Sequence, residues 1–116
     1  MNYSEHQTEL DQAGQLVRKS KHNSAGQLVW TWEYEYEATG QLVREREYNS
    51  AGQLVWTWTY DSEGRLAREW MYEYDSEGQL ARSWDYEYAG PLVRTWEYDE
   101  AGQLVREWER EQVRDT

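Results

Sequence analysis

The chain has no cysteine, no phenylalanine, one proline, two histidines and two lysines. Without cysteine there is no disulfide, no thiolate metal site and no thiol nucleophile. No apolar run approaches the core of a signal peptide or a membrane span. The expectation is therefore a cytoplasmic protein with no membrane partner, with export by a specialised route left open. Phosphate-binding loops, nucleophile elbows and dinucleotide fingerprints are missing too, so no enzyme activity and no cofactor are expected. Cationic charge is scarce: 12 Lys and Arg against 23 Asp and Glu leave a net charge of −11, which disfavours nucleic acid. His6 and His22 are too few for a zinc site without cysteine and are expected to be solvated edge residues. Glu33, Glu35 and Glu37 alternate along one extended segment, which does not build a calcium cage.

What the chain does have is repetition. Tyr60-Asp61-Ser62-Glu63-Gly64-Arg65-Leu66 recurs with variation eight times, once per glycine: Gly14, Gly26, Gly40, Gly52, Gly64, Gly78, Gly90 and Gly102. Asp61 sits where a type I turn needs an acceptor for backbone N–H groups, and Gly64 where a three-residue loop needs a left-handed residue. Ser62-Glu63-Gly64 is thus the predicted loop, with Asp61 facing Arg65 and Tyr60 facing Leu66. The stretches 49–52, 75–78 and 99–102 fit the same way, whereas Glu37 and Glu87 replace the preferred turn starter at 37–40 and 87–90.

Eight turns join nine strands. The glycines are spaced 12, 14, 12, 12, 14, 12 and 12 residues apart, so any three steps sum to 38 and every third strand is two residues longer. Strands are predicted at 16–22, 28–36, 42–48, 54–60, 66–74, 80–86, 92–98 and 104–112, after a less regular one near 2–10. A glycine every dozen residues and strict alternation exclude helix. The predicted fold is all-β: an antiparallel up-and-down meander of about nine strands forming one domain over residues 1–116.

If the loops preserve parity, even and odd positions separate over the whole chain. All eight tryptophans and all nine leucines are even, and 22 of 23 acids are odd, which predicts one aromatic and arginine face and one acidic face. The even face then contains Trp30, Trp32, Arg44, Arg46, Trp56, Trp58, Arg68, Trp70, Arg82, Trp84, Arg94, Trp96, Arg106 and Trp108. The implied cross-strand pairs are Arg46–Trp56, Arg44–Trp58, Trp58–Arg68, Trp56–Trp70, Trp84–Arg94, Arg82–Trp96, Trp96–Arg106 and Arg94–Trp108. Guanidinium groups would lie between indoles, each contact contributing about 0.5–2 kcal/mol. On the odd face Glu47 would meet Val55 and Thr57 would meet Glu69, leaving Glu33–Glu45 and Glu69–Asp85 as like-charge pairs.

The phrases YDSEGRL at 60–66, YDSEGQL at 74–80 and YDEAGQL at 98–104 resemble the YD repeat of Rhs and teneurin-type proteins. The resemblance implies a long hairpin ribbon wound as a shell or displayed scaffold, and by analogy an accessory or antitoxin role in an Rhs-like system.

Such an aromatic face has to be covered or used. A closed barrel of this many strands would be overfull with Trp and Arg, which favours pairing of faces or continuation of the ribbon with other copies. Residues 104–110 keep the full repeat pattern, and an open edge offers unpaired backbone groups. Lys19 and Lys21, the only lysines, complement Glu107, Glu109 and Glu111 at the other end. Nine strands at about 4.8 Å would add roughly 43 Å per copy. The expected function is a self-associating structural repeat protein, a homo-oligomer or filament. The alternative is a binding module whose aromatic and arginine face takes carbohydrate or another flat ligand.

Overall fold

The structure is a computed structural model that describes residues 5–112. Nine strands follow in order: β1 (Glu5–Leu10), β2 (Leu16–His22), β3 (Leu28–Tyr36), β4 (Leu42–Tyr48), β5 (Leu54–Tyr60), β6 (Leu66–Tyr74), β7 (Leu80–Ala89), β8 (Leu92–Tyr98) and β9 (Leu104–Glu111). They form one antiparallel sheet in chain order, with β1 and β9 at its edges. The predicted meander is correct, and most strand limits agree to the residue. Residues 2–4 of the expected first strand lie outside the described residues.

The turns follow the predicted chemistry. Asp61 N–H donates to the Arg65 carbonyl at 2.8 Å and Gly64 N–H to the Asp61 carbonyl at 3.0 Å. The Asp61 carboxylate accepts from the N–H groups of Glu63 and Arg65, both at 2.9 Å. Gly64 takes φ +79, the left-handed conformation an L side chain resists. At 37–40 the backbone bonds persist, but Glu37 is too long for that role and instead accepts from the Thr39 hydroxyl at 2.5 Å.

One turn differs. At Glu87 no short acceptor is available, and β7 continues to Ala89, which pairs with Leu92 across a two-residue turn of Gly90 and Pro91. Gly90 at φ +63 followed by proline, whose φ is fixed negative, is the pattern of a type II′ turn. The predicted end of this strand at residue 86 is corrected accordingly.

The larger correction concerns the two faces. After Tyr60 pairs with Leu66, Thr59 pairs with Arg68, so Ala67 is an extra residue in β6. The same bulge follows every other three-residue loop, at Val17, Val29, Val43, Val55, Ala81 and Val105. A loop of three plus one bulged residue is an even count, as is the two-residue turn at Gly90 and Pro91. Each hairpin therefore inverts parity, and even positions of one strand share a face with odd positions of the next. The expected division into an aromatic and arginine face and an acidic face does not occur. Observed neighbours are Glu45–Trp58, Arg46–Thr57, Glu47–Trp56, Thr57–Trp70 and Trp58–Glu69, in place of the Arg–Trp and Trp–Trp pairs expected for these strands. Trp84 likewise faces Glu97, Arg82 faces Glu73, and Trp96 lies between Asp85 and Glu107. Glu33 meets Arg46 and Glu69 meets Tyr86, so neither expected like-charge pair arises.

Bulges increase local twist, and seven of them coil this single layer into a body of 45 × 41 × 29 Å. The radius of gyration is 16.8 Å, larger than the roughly 13 Å of a compact domain of this length. No second layer covers the sheet, and among the described residues Val93 is the only buried hydrophobic side chain. Val93 and Thr95, both 0% exposed, lie in β8 between Tyr86 and Tyr88 of β7 and Trp108 and Arg110 of β9.

Neighbouring turns on each margin are linked by glutamines that follow the loop glycines. The Gln15 amide donates to the Gly40 carbonyl at 3.1 Å, Gln41 to Asp61 at 3.4 Å and Gln53 to Gly78 at 2.6 Å. A Cβ on Gly40 would meet Gln15 Nε2 at 3.2 Å, whereas one on Gly52 meets nothing within 4 Å. Gly52→Ala should lose about 1–2 kcal/mol in urea unfolding from backbone strain alone. Gly40→Ala should lose about 0.5–1 kcal/mol more, the contribution of one hydrogen bond, and Gln15→Ala should erase that difference. Equal losses for the two glycines would show that the glutamine link contributes nothing.

Candidate functional site

The register assigns each functional side chain to a face. The front face takes even residues of β1, β3, β5, β7 and β9 and odd residues of the strands between, and the back face takes the rest. Of the residues expected together, Trp30, Trp32, Trp56, Trp58, Arg82, Trp84, Arg106 and Trp108 lie on the front. Arg44, Arg46, Arg68, Trp70, Arg94 and Trp96 lie on the back. All eight loop glycines have positive φ, as expected.

Rows across the sheet set donors beside carboxylates at many positions. One front row runs Lys19, Trp32, Glu47, Trp56, Met71, Trp84, Glu97 and Arg106. Trp32 Nε1 donates to Glu47 at 2.7 Å, while Glu69 accepts from Trp56 Nε1 and, at 2.7 Å, from the Tyr88 hydroxyl. Glu97, 7% exposed, receives Arg106 at 3.0 Å and Arg82 at 3.3 Å. On the back, Arg68 grips Asp85 through Nε at 2.9 Å and Nη2 at 2.7 Å. Glu33 receives Arg18 and the Tyr48 hydroxyl, each at 2.8 Å. These carboxylates are occupied by cross-strand donors, and their chemistry is to bind the strands together.

Cations approach indoles mainly along a strand. The Arg68, Arg82 and Arg106 guanidinium carbons lie 5.3, 5.9 and 4.6 Å from the ring centroids of Trp70, Trp84 and Trp108, two residues on in each case. Lys19 Nζ, 4.7 Å from the Trp32 ring, is a cross-strand example. Trp56 and Trp58 stack with centroids 5.2 Å apart. Across strands the arginines of the expected face meet acids or threonine, which is why the expected indole–arginine sandwich is absent from the described register.

Among the described residues, no group of three or more His, Cys, Asp or Glu is placed to hold a metal ion. The side chain of His6 lies outside the described residues. His22 Nδ1 is buried with no hydrogen-bond partner among them, as is the Thr95 hydroxyl. Sequence reasoning missed the glutamine links, although glutamine after the loop glycine was visible in the repeat. It also missed the bulges, whose signal was the consecutive Leu-Val or Leu-Ala after each loop.

A meander of hairpins, seven of the eight started by Asp, Asn or Glu with glycine closing the loop, with tyrosines bonded to acids of the preceding strand, defines a YD-type hairpin ribbon. The Teneurin YD-shell family model matches residues 2–115, and the chain belongs to that family. No curated protein matches it. Among solved structures, it is similar to a chain of a GtfA/B complex bound to UDP and GlcNAc, with TM-score 0.49 and 13% identity over 91% of this chain. It spans only 24% of that chain. A DUF3836 family protein from Bacteroides vulgatus is similar with TM-score 0.35 and 14% identity, over 93% of this chain and 98% of that one. A DUF3836 family protein from Parabacteroides distasonis gives TM-score 0.35 and 12% identity, over 96% and 92%.

The donor–carboxylate rows make stability depend on pH at both ends. The Arg18 hydrogen bond holds the Glu33 carboxyl below its usual range, and backbone N–H groups, that of Arg65 first, do the same for Asp61. Their stabilisation is complete above the unfolded carboxyl range, near pH 4, and is lost as pH falls through the lower folded values. Burial, and then Glu45, pushes the Tyr60 phenol up to about 12. Its contribution is complete below the unfolded value near pH 10 and is lost as pH rises toward 12. Urea midpoints should thus be flat at neutral pH and fall on both sides. Burial raises the phenols of Tyr88 and other tyrosines as well, so Tyr60→Phe should make the alkaline limb shallower without removing it, and an unchanged limb would remove Tyr60 as a contributor.

Proposed function

We propose that this chain is a structural ribbon module that adds copies edge to edge, β9 of one against β1 of the next. The observation that carries this reading is the state of β9. It is an edge strand with the full repeat pattern, and its Leu104 and Val105 are 51% and 55% exposed. An uncovered edge of this kind is a template for another strand.

The register gives the addition a definite form. A tenth strand continuing the alternation is antiparallel to β9 and has odd residues on the front. If β1 of a second copy takes that place, the copy is inverted, with its back face continuing the front face of the first. Gln7 and Glu9 then come beside Arg106, Trp108 and Arg110. On the other side Glu107, Glu109 and Glu111 face Thr8 and Leu10, with Lys19 and Lys21 one strand further. The first of these faces thereby keeps the acid-to-donor alternation found within the sheet. Inversion at each step relates successive copies by a screw operation, and contacts of that type that do not close on themselves make filaments.

The assembly interface is the strand edge and not a continuous indole surface, because acid-bearing strands separate the tryptophans on each face. The reading includes no catalytic step. Static light scattering with negative-stain microscopy should find mass rising with concentration and elongated particles. A monomer at every concentration overturns the proposal. Glu9→Lys, at a 65% exposed side chain, should weaken association roughly two- to fivefold, an exposed ion pair contributing about 0.5–1 kcal/mol. Its circular dichroism should be unchanged.

A further inference from the structure

The back face has a notch between β1 and β4, beside the Arg18–Glu33–Tyr48 contacts. The row there is Gln7, Ser20, Thr31 and Tyr48. Ser20 opposite Thr31 sets two small side chains directly against each other across strands. Elsewhere in the described sheet no strand serine or threonine faces another: Thr57 faces Trp70 and Arg46, Ser83 faces Tyr72 and Tyr98, and Thr95 faces Tyr86 and Trp108. The small pair leaves an open groove of about 510 Å³, with Leu28 and His22 at one end and Arg18 and Glu33 at the other. That volume falls within the range of small-ligand sites.

The chemistry of the lining is specific. Arg18 is neutralised by Glu33 at 2.8 Å and approached by Glu9 at 4.0 Å, so the groove offers no free cation to an anion. The Tyr48 hydroxyl is bound to Glu33 at 2.8 Å, which fixes the ring as a wall. Ser20, Thr31 and Gln7 provide neutral donors and acceptors on the floor and rim, and His22 Nδ1 adds a buried polar atom without a partner among the described residues. An apolar wall beside a neutral hydrogen-bonding floor matches a ligand with one CH-rich face and a ring of hydroxyls.

We propose that this notch binds one pyranose unit of a neutral saccharide, its CH face against Tyr48 and its hydroxyls toward Ser20, Thr31 and Gln7. The site is separate from the indole rows; its rim residue Gln7 also lies on the β1 edge, whereas Ser20 and Thr31 lie one and two strands inside it. Saturation-transfer difference NMR suits the test because it observes the sugar and tolerates an assembled protein. The probes are maltose, cellobiose and N,N′-diacetylchitobiose, with galacturonic acid as a charged comparison. At least one neutral disaccharide should receive saturation on its ring protons, more strongly than galacturonic acid does. Ser20→Leu fills the notch and should abolish the transfer. Gln7→Ala, at an exposed edge position that folding does not depend on, should weaken it severalfold, and Tyr48→Phe, which keeps the ring, should retain it. No transfer to any of the three disaccharides overturns the proposal, as does transfer unchanged in both Ser20→Leu and Gln7→Ala. Stronger transfer to galacturonic acid overturns the assignment to a neutral ligand.

Discussion

The structure depends on a single extra residue per hairpin. A strict two-residue period makes the face of every side chain a matter of counting, and one bulged Val or Ala after each three-residue loop reverses the count. The reversal sets the Arg- and Trp-bearing positions of one strand beside the Glu- and Thr-bearing positions of the next. Without it, Glu33 would stand against Glu45 and Glu69 against Asp85 in a chain whose net charge is −11. With it, Glu33, Glu45, Glu47, Glu69, Asp85 and Glu97 each find an arginine, an indole N–H or a tyrosine hydroxyl. A sheet with almost no buried apolar side chain is thus held by short polar contacts, made on both faces and repeated along the ribbon.

The bulge also accounts for the shape. Added twist at seven of eight hairpins coils the layer and brings every second turn close to its neighbour along the margin. Gln15, Gln41 and Gln53 then reach from one turn to the next. The loop glycines are needed for their left-handed backbone in every case, and at Gly40 also for the space the glutamine occupies.

Strand limits and turns were legible because they rest on local chemistry: a short acceptor, three residues, and a glycine that tolerates positive φ. The Gly90 turn departed where Pro91, which has no N–H to donate, stands in place of the Gln or Arg of other copies; Glu37, equally without a short acceptor, kept its three-residue loop. Face assignment was not legible by parity alone, since pairing depends on a bulge that alternation does not reveal. Two clues were present. Leu54-Val55 and its equivalents interrupt the alternation, and Glu33–Glu45 and Glu69–Asp85 were unfavourable pairs implied by the wrong register. Of the candidate surface, residue identities were readable but their grouping was not. The Gln15–Gly40 contact spans 25 residues and exists only through coiling of the whole sheet.

The order of strands has a mechanical meaning. With β1 and β9 on opposite margins, tension applied between them acts along the hydrogen bonds and across the strands. Load of that kind opens one ladder rung at a time, so the ribbon yields by peeling hairpins from an edge and not by shearing as a block. The glutamine links, joining turns two strands apart, act as stops that the peeling front must pass in succession.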